Sequence, residues 1–115
     1  MNIQIFGVKK CFDTKKAERY FKERKINYQF VDLSMFGLSK GELQSVKAAL
    51  GLNNLVNSVS KDYKRLNMDR IISASGREEM LFNNPSLYIT PIVRNGKQST
   101  VGYVPEVWAS WVDYN

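Results

Sequence analysis

Histidine is absent from this chain and cysteine occurs once, as Cys11. The first absence removes the usual general base of neutral pH and the commonest zinc ligand. The second removes any cysteine-cluster metal site and any internal disulfide. No metal is therefore expected, and a disulfide at Cys11 would have to be shared with another molecule. No apolar run approaches the roughly 20 residues of a membrane span, and Met1-Asn2-Ile3-Gln4 lacks the charged-then-apolar layout of a signal peptide. A cytoplasmic protein with no membrane contact is expected. Internal repeats and low-complexity segments are missing too.

What is present suits a packed domain. Hydrophobic residues make up 43% of the sequence, too apolar for a disordered chain, and 115 residues suffice for one core. A single domain over 1–115 is expected, as a monomer. The 17 Lys and Arg against 11 Asp and Glu give a net charge of +6. That excess either favours anionic partners such as phosphates, oxyanions and glutathione, or only keeps the surface soluble. The basic residues read as dispersed and no base-reading motif is present, so nucleic acid is disfavoured as a partner.

Hydrophobic periodicity orders the chain. Ile3, Ile5 and Phe6 form a short strand closed by Gly7. Asp13 or Thr14 can cap a helix in which Ala17, Tyr20 and Phe21 recur at helical spacing to about Lys25. Tyr28 to Leu33 is a second strand, parallel to the first. Ser39 with Glu42 has capping-box spacing, and Leu43, Val46 and Leu50 carry that helix to Gly51. Two or three short helices are predicted in 52–83, burying Leu55, Val56, Tyr63, Leu66, Ile71, Ile72, Met80, Leu81 and Phe82. Leu87-Tyr88-Ile89, Ile92-Val93 and Thr100 to Tyr103 read as strands, the last two joined through Asn95-Gly96, and Pro105 opens a helix carrying Val107, Trp108, Trp111 and Val112. The order is β-α-β, a helical block, then β-β-α.

Cys11 falls in the turn between the first strand and first helix, where unpaired helix amides stabilise a thiolate. Lys9, Lys10, Lys15 and Lys16 surround it. Two readings stand: a small buried filler, or a nucleophile. The charged turn favours the nucleophile, with Lys9 and Lys15 either stabilising the anion or simply solvated. Asp13 reads as a cap before an acid or base, and Trp108 and Trp111 as core before ligand stacking. Thr90-Pro91 lies between strand-like runs, and from residues alone an ordinary trans edge proline is expected there.

Gly7-Val8-Lys9-Lys10-Cys11-Phe12-Asp13-Thr14-Lys15-Lys16-Ala17, Asn84-Pro85-Ser86-Leu87, Thr90-Pro91-Ile92-Val93 and Val101-Gly102-Tyr103 together resemble the arsenate reductase-related ArsC/Spx/YffB family. The likeness runs nearly end to end. It implies an α/β thioredoxin-like fold with a mixed four-stranded sheet and a helical insertion at about 38–83. It also implies Cys11 as nucleophile, with Pro91 as a cis-proline facing it.

In the family's arsenate reductases the cysteine attacks arsenate, and glutathione with glutaredoxin releases arsenite. YffB-like members are proposed to be glutathione-linked thiol reductases, and Spx-like members bind the RNA polymerase α subunit and switch through Cys-x-x-Cys. Here Thr14 occupies the second cysteine's place, which excludes that switch. Thr90 stands where the reductases carry arginine, and Asn57 to Val59 hold no basic residue where another family arginine falls. Lysines offer an oxyanion only point charges, so arsenate reduction is disfavoured. The expected function is glutathione-linked monothiol chemistry at Cys11. Thr14, Lys9 and Lys15 would stabilise the thiolate, Thr90 and Pro91 would hold glutathione as co-substrate, and no cofactor would be bound. The alternative is a module docking RNA polymerase without redox chemistry.

Overall fold

The computed structural model describes residues 1–112, Val112 by its backbone only. The sheet is built around β1 (Ile3–Gly7), which pairs in parallel with β2 (Tyr28–Asp32) and antiparallel with β3 (Ile92–Asn95). A hairpin adds β4 (Gln98–Val101), giving the mixed order β2-β1-β3-β4. This is the thioredoxin-like arrangement expected, and the Thr90-Pro91 bond is cis.

Side-chain alternation along β1 and β3 divides the core between the two faces of the sheet. Ile3, Ile5 and Val93 pack with Ala17, Tyr20 and Phe21 of α1 (Phe12–Glu23) and with Trp108 and Trp111 of α5 (Pro105–Val112). The fully buried Trp108 donates its indole N–H to Thr100 Oγ1 at 2.8 Å, which satisfies both polar groups. Phe6 and Ile92 point the other way, onto Leu43 and Val46 of α2 (Lys40–Leu50) and onto the insertion.

The predicted capping box is present: Glu42 N–H donates to Ser39 Oγ at 3.1 Å, and Ser39 N–H to Glu42 Oε1 at 2.8 Å. Gly51 ends α2 at φ 84°, a backbone conformation open chiefly to glycine. The insertion then runs through a 3₁₀ turn at Leu52–Leu55, α3 (Lys61–Arg65), a second turn at Met68–Arg70 and α4 (Ala74–Asn83). Ser60 and Ser73 cap the two helices through their hydroxyls.

Four expectations are corrected. The segment Leu87-Tyr88-Ile89 is not a strand: proline at the first position winds Pro85–Leu87 into a 3₁₀ turn, and Tyr88 keeps an isolated bridge to Val56. The last strand stops at Val101, because Gly102 turns at φ 82° and bonds Pro91 O. Ile72 is 92% exposed, since it precedes the Ser73 cap outside the packed face of α4. Neither Asp13 nor Thr14 caps α1; the cap residue is Cys11. No helix among the described residues is long and apolar enough to cross a membrane.

Candidate active site

Between β1 and α1 the chain turns in the four residues Val8 to Cys11, with Cys11 N–H bonded to Val8 O at 3.0 Å. Cys11 takes the extended cap conformation, φ −81° and ψ 123°, and its side chain makes no capping hydrogen bond. A serine or aspartate here would satisfy the first-turn amides itself. With cysteine, the N–H groups of Thr14 and Asp13 are left to act on sulfur and favour the thiolate.

Two threonines complete the surroundings of the thiol. Thr90, 79 positions away in sequence, donates its hydroxyl to Sγ at 3.1 Å, and its carbonyl lies 3.7 Å from Sγ, where it accepts from the neutral thiol. Thr14 is fully buried, acts on the thiol in the same direction as Thr90, and its hydroxyl has no partner in hydrogen-bond geometry. A buried hydroxyl without a partner is costly, and a thiolate would accept from it. Burial pushes the Cys11 thiol up. The Thr14 and Thr90 hydroxyls and the two amides outweigh that push, and the pKa lies below its ordinary value.

Gly7 makes this packing possible. A Cβ there would stand 2.5 Å from Thr14 Oγ1 and 2.6 Å from its Cγ2. The glycine was legible as a strand end, but its contact with Thr14 required the folded turn. Phe12 is the other residue that sequence reasoning passed over: it directly follows Cys11 and is 78% exposed. The signal was an aromatic residue in an otherwise charged turn.

The remaining candidates lie around this centre. Pro91 follows Thr90 through the cis bond and is tied to the sheet by Gly102 N–H at 2.8 Å. The Lys15 ammonium stands 5.7 Å from the centroid of the Phe12 ring. Lys9 is exposed and its charge reaches Asp32, whose carboxyl is held low first by the Ser34 hydrogen bonds and then by Lys9. The basic residues are not dispersed: eight of the 17 fall between Lys9 and Lys25, in this turn and helix.

The sequence model of the ArsC family matches residues 6–111, a span that contains the cysteine turn, the insertion and the cis-proline. The chain belongs to the ArsC family. Among relatives in sequence, the global transcriptional regulator Spx 2 of Oceanobacillus iheyensis is 28% identical over 106 residues, covering 90% of this chain and 78% of that protein. The global transcriptional regulator Spx of Streptococcus pyogenes is 25% identical over 104 residues, 88% of this chain and 78% of that one. Among solved structures, an arsenate reductase from Vibrio cholerae superposes with a TM-score of 0.82 at 24% identity, covering 96% of this chain and 97% of that one. A YffB protein gives the same score at 24% identity, over 94% and 96%. These superpositions show that the chain has the same fold as those two proteins.

Proposed function

We propose that this ArsC-family chain is a glutathione-linked monothiol oxidoreductase with Cys11 as its nucleophile. The observation that carries the reading is the Thr90 hydroxyl on Sγ at 3.1 Å, joined by the buried, otherwise unpartnered hydroxyl of Thr14. Both groups bind a thiolate better than a thiol, so they lower the pKa without a second cysteine. Lys9 and Lys15 add positive charge to the surroundings. The Thr90 N–H, which donates to no acceptor among the described residues, and the Thr90-Pro91 edge offer backbone groups to a bound glutathione.

The reaction balances with glutathione alone as reductant. The Cys11 thiolate attacks the glutathione sulfur of a mixed disulfide, forming a Cys11–glutathione bond while the substrate sulfur leaves as a thiolate and takes a proton. A second glutathione attacks the same sulfur, releasing glutathione disulfide and restoring the Cys11 thiolate. A glutaredoxin-type dithiol can serve in the second step. Arsenate is not the proposed substrate, because Thr90 and Asn57 to Val59 supply none of the guanidinium groups that grip an oxyanion in two places.

Intact mass spectrometry after exposure to glutathione disulfide tests the proposal. One glutathione is expected on the wild type, none on Cys11→Ser, and loss of the adduct on adding glutathione. A wild-type thiol that stays unmodified where free glutathione exchanges would overturn it. The relatives named as transcriptional regulators favour a second reading, docking to the RNA polymerase α subunit. Equal binding of that subunit by wild type and Cys11→Ser would establish it.

A further inference from the structure

The net charge of the protein is concentrated in one stretch. Between Lys9 and Lys25 stand eight of the 17 basic residues and three of the 11 acidic ones, which is +5 of the total +6. Ala17, Tyr20 and Phe21 fix the inner side of α1 on the sheet, so Lys15, Arg19 and Lys22 share its outer stripe and line one shallow groove with Glu18. These three cations are exposed, and so are Lys9, Lys10 and Lys16. The ion pairs found among the described residues, Lys47–Glu78 and Arg65–Asp62, lie elsewhere. Glu18 accepts the Tyr28 hydroxyl at 2.9 Å. Like charges three or four residues apart on a helix repel, and cations near its N-terminus oppose its dipole. Lys15 and Arg19 repel each other near the start of α1, while Lys22 in the last turn suits the dipole and stands four residues after Glu18; the surplus positive charge of the stripe is what an anionic partner neutralises.

At the head of the stripe lies the Cys11 turn, beside the exposed ring of Phe12. Tyr103, 41% exposed, lies along the same helix with the Lys16 ammonium 5.5 Å from its ring centroid. We infer that the outer face of α1 is a docking strip for an acidic polypeptide segment that presents its mixed disulfide to Cys11. This rests on the thiol-exchange reading and names its substrate class, a glutathionylated protein cysteine flanked by Asp and Glu. Charge complementarity draws such a segment along the helix, and Phe12 receives an apolar side chain near the sulfur. The thiol at the head of the stripe favours a polypeptide over nucleic acid, which carries no sulfur for Cys11 to exchange with. The chemistry is the balanced exchange given above, with the partner's sulfur leaving as the thiolate.

Two glutathionylated peptides, identical except for Asp/Glu or Asn/Gln flanks, test the docking strip through their rates of deglutathionylation by the full chain. At low salt the acidic peptide is expected to react about tenfold faster. That ratio should fall toward one at high salt and in Arg19→Glu or Lys22→Glu. Lys97→Glu makes the same charge change in the β3–β4 turn, beside the start of β1 and away from the Cys11 end, and should keep the ratio. Equal rates for both peptides in the wild type would overturn the docking strip and leave thiol exchange standing.

If neither peptide reacts, thiol exchange fails, and docking is read by fluorescence titration with an acidic peptide carrying serine for cysteine. Binding weakened by Arg19→Glu and not by Lys97→Glu supports the strip, and no binding overturns it. Tighter binding of a single-stranded oligonucleotide of equal charge would also overturn it, in favour of nucleic acid.

Discussion

Thr90 and Cys11, 79 residues apart in sequence, meet at 3.1 Å with the threonine hydroxyl donating and the sulfur accepting. Thr90→Val keeps the size and removes that donor. The alkylation rate of Cys11 at pH 7 is expected to fall about fivefold, the equivalent of one hydrogen bond of roughly 1 kcal/mol. Its pH profile should move upward. An unchanged profile would show that the hydroxyl does not hold the thiolate.

The same thiol ties stability to pH. Its folded-state pKa lies below that of the unfolded chain, near 8.5 for a free cysteine, so ionisation favours the folded state. This contribution is fully present above the unfolded value and is lost as pH falls through the folded one. Urea unfolding across that window should show wild type gaining stability relative to Cys11→Ser as pH rises, with no further divergence above about pH 9.

Gly7→Ala tests the close approach that seats Thr14. With Thr14 fully buried, the added Cβ forces it or the turn aside, at a cost of about 1–3 kcal/mol. The double variant Gly7→Ala/Thr14→Ala removes Oγ1 and Cγ2, the two atoms in the way, and leaves only the Thr14 Cβ position at 3.1 Å. It should be more stable than the sum of the two single changes predicts, by about 1 kcal/mol in denaturant titrations. Strict additivity would mean that the two residues do not press on each other.

Thr100→Val leaves the buried Trp108 indole N–H without its acceptor and should cost about 1–3 kcal/mol, followed by tryptophan fluorescence. Leu81→Ala, at a fully buried position of α4, should cost about 2–5 kcal/mol, whereas the exposed Ile72→Ser should stay within about 0.5 kcal/mol of wild type. Equal losses for the last two would place Ile72 in the core after all.

Local rules read from the sequence held at several positions, although the cap of α1 fell on Cys11 and not on Asp13 or Thr14. The Ser39–Glu42 box, the Gly51 stop and the Ala17–Tyr20–Phe21 face need only neighbours three or four residues away. Such rules failed where distant chain decides. Leu87-Tyr88-Ile89 has strand-forming residues, yet Pro85 and the lone Val56 bridge leave it outside the sheet. Ile72 has a core side chain, yet it stands before the Ser73 cap, outside the packed face of α4, and faces solvent.

The sequence by itself determined that one cysteine stands in a strand–helix turn, that no internal disulfide can form, and that the chain resembles the ArsC family nearly end to end. Hydrophobic spacing and short-range capping are properties of neighbours along the chain, so they are written in its order of residues. Tertiary structure alone decided what touches the sulfur. Pairing of β1 with β3 carries Thr90 from the far part of the chain to Cys11, and the absence of a side chain on Gly7 lets Thr14 close in from beneath. A thiol's pKa depends on donors within a few ångströms, and those distances exist only once the sheet has formed.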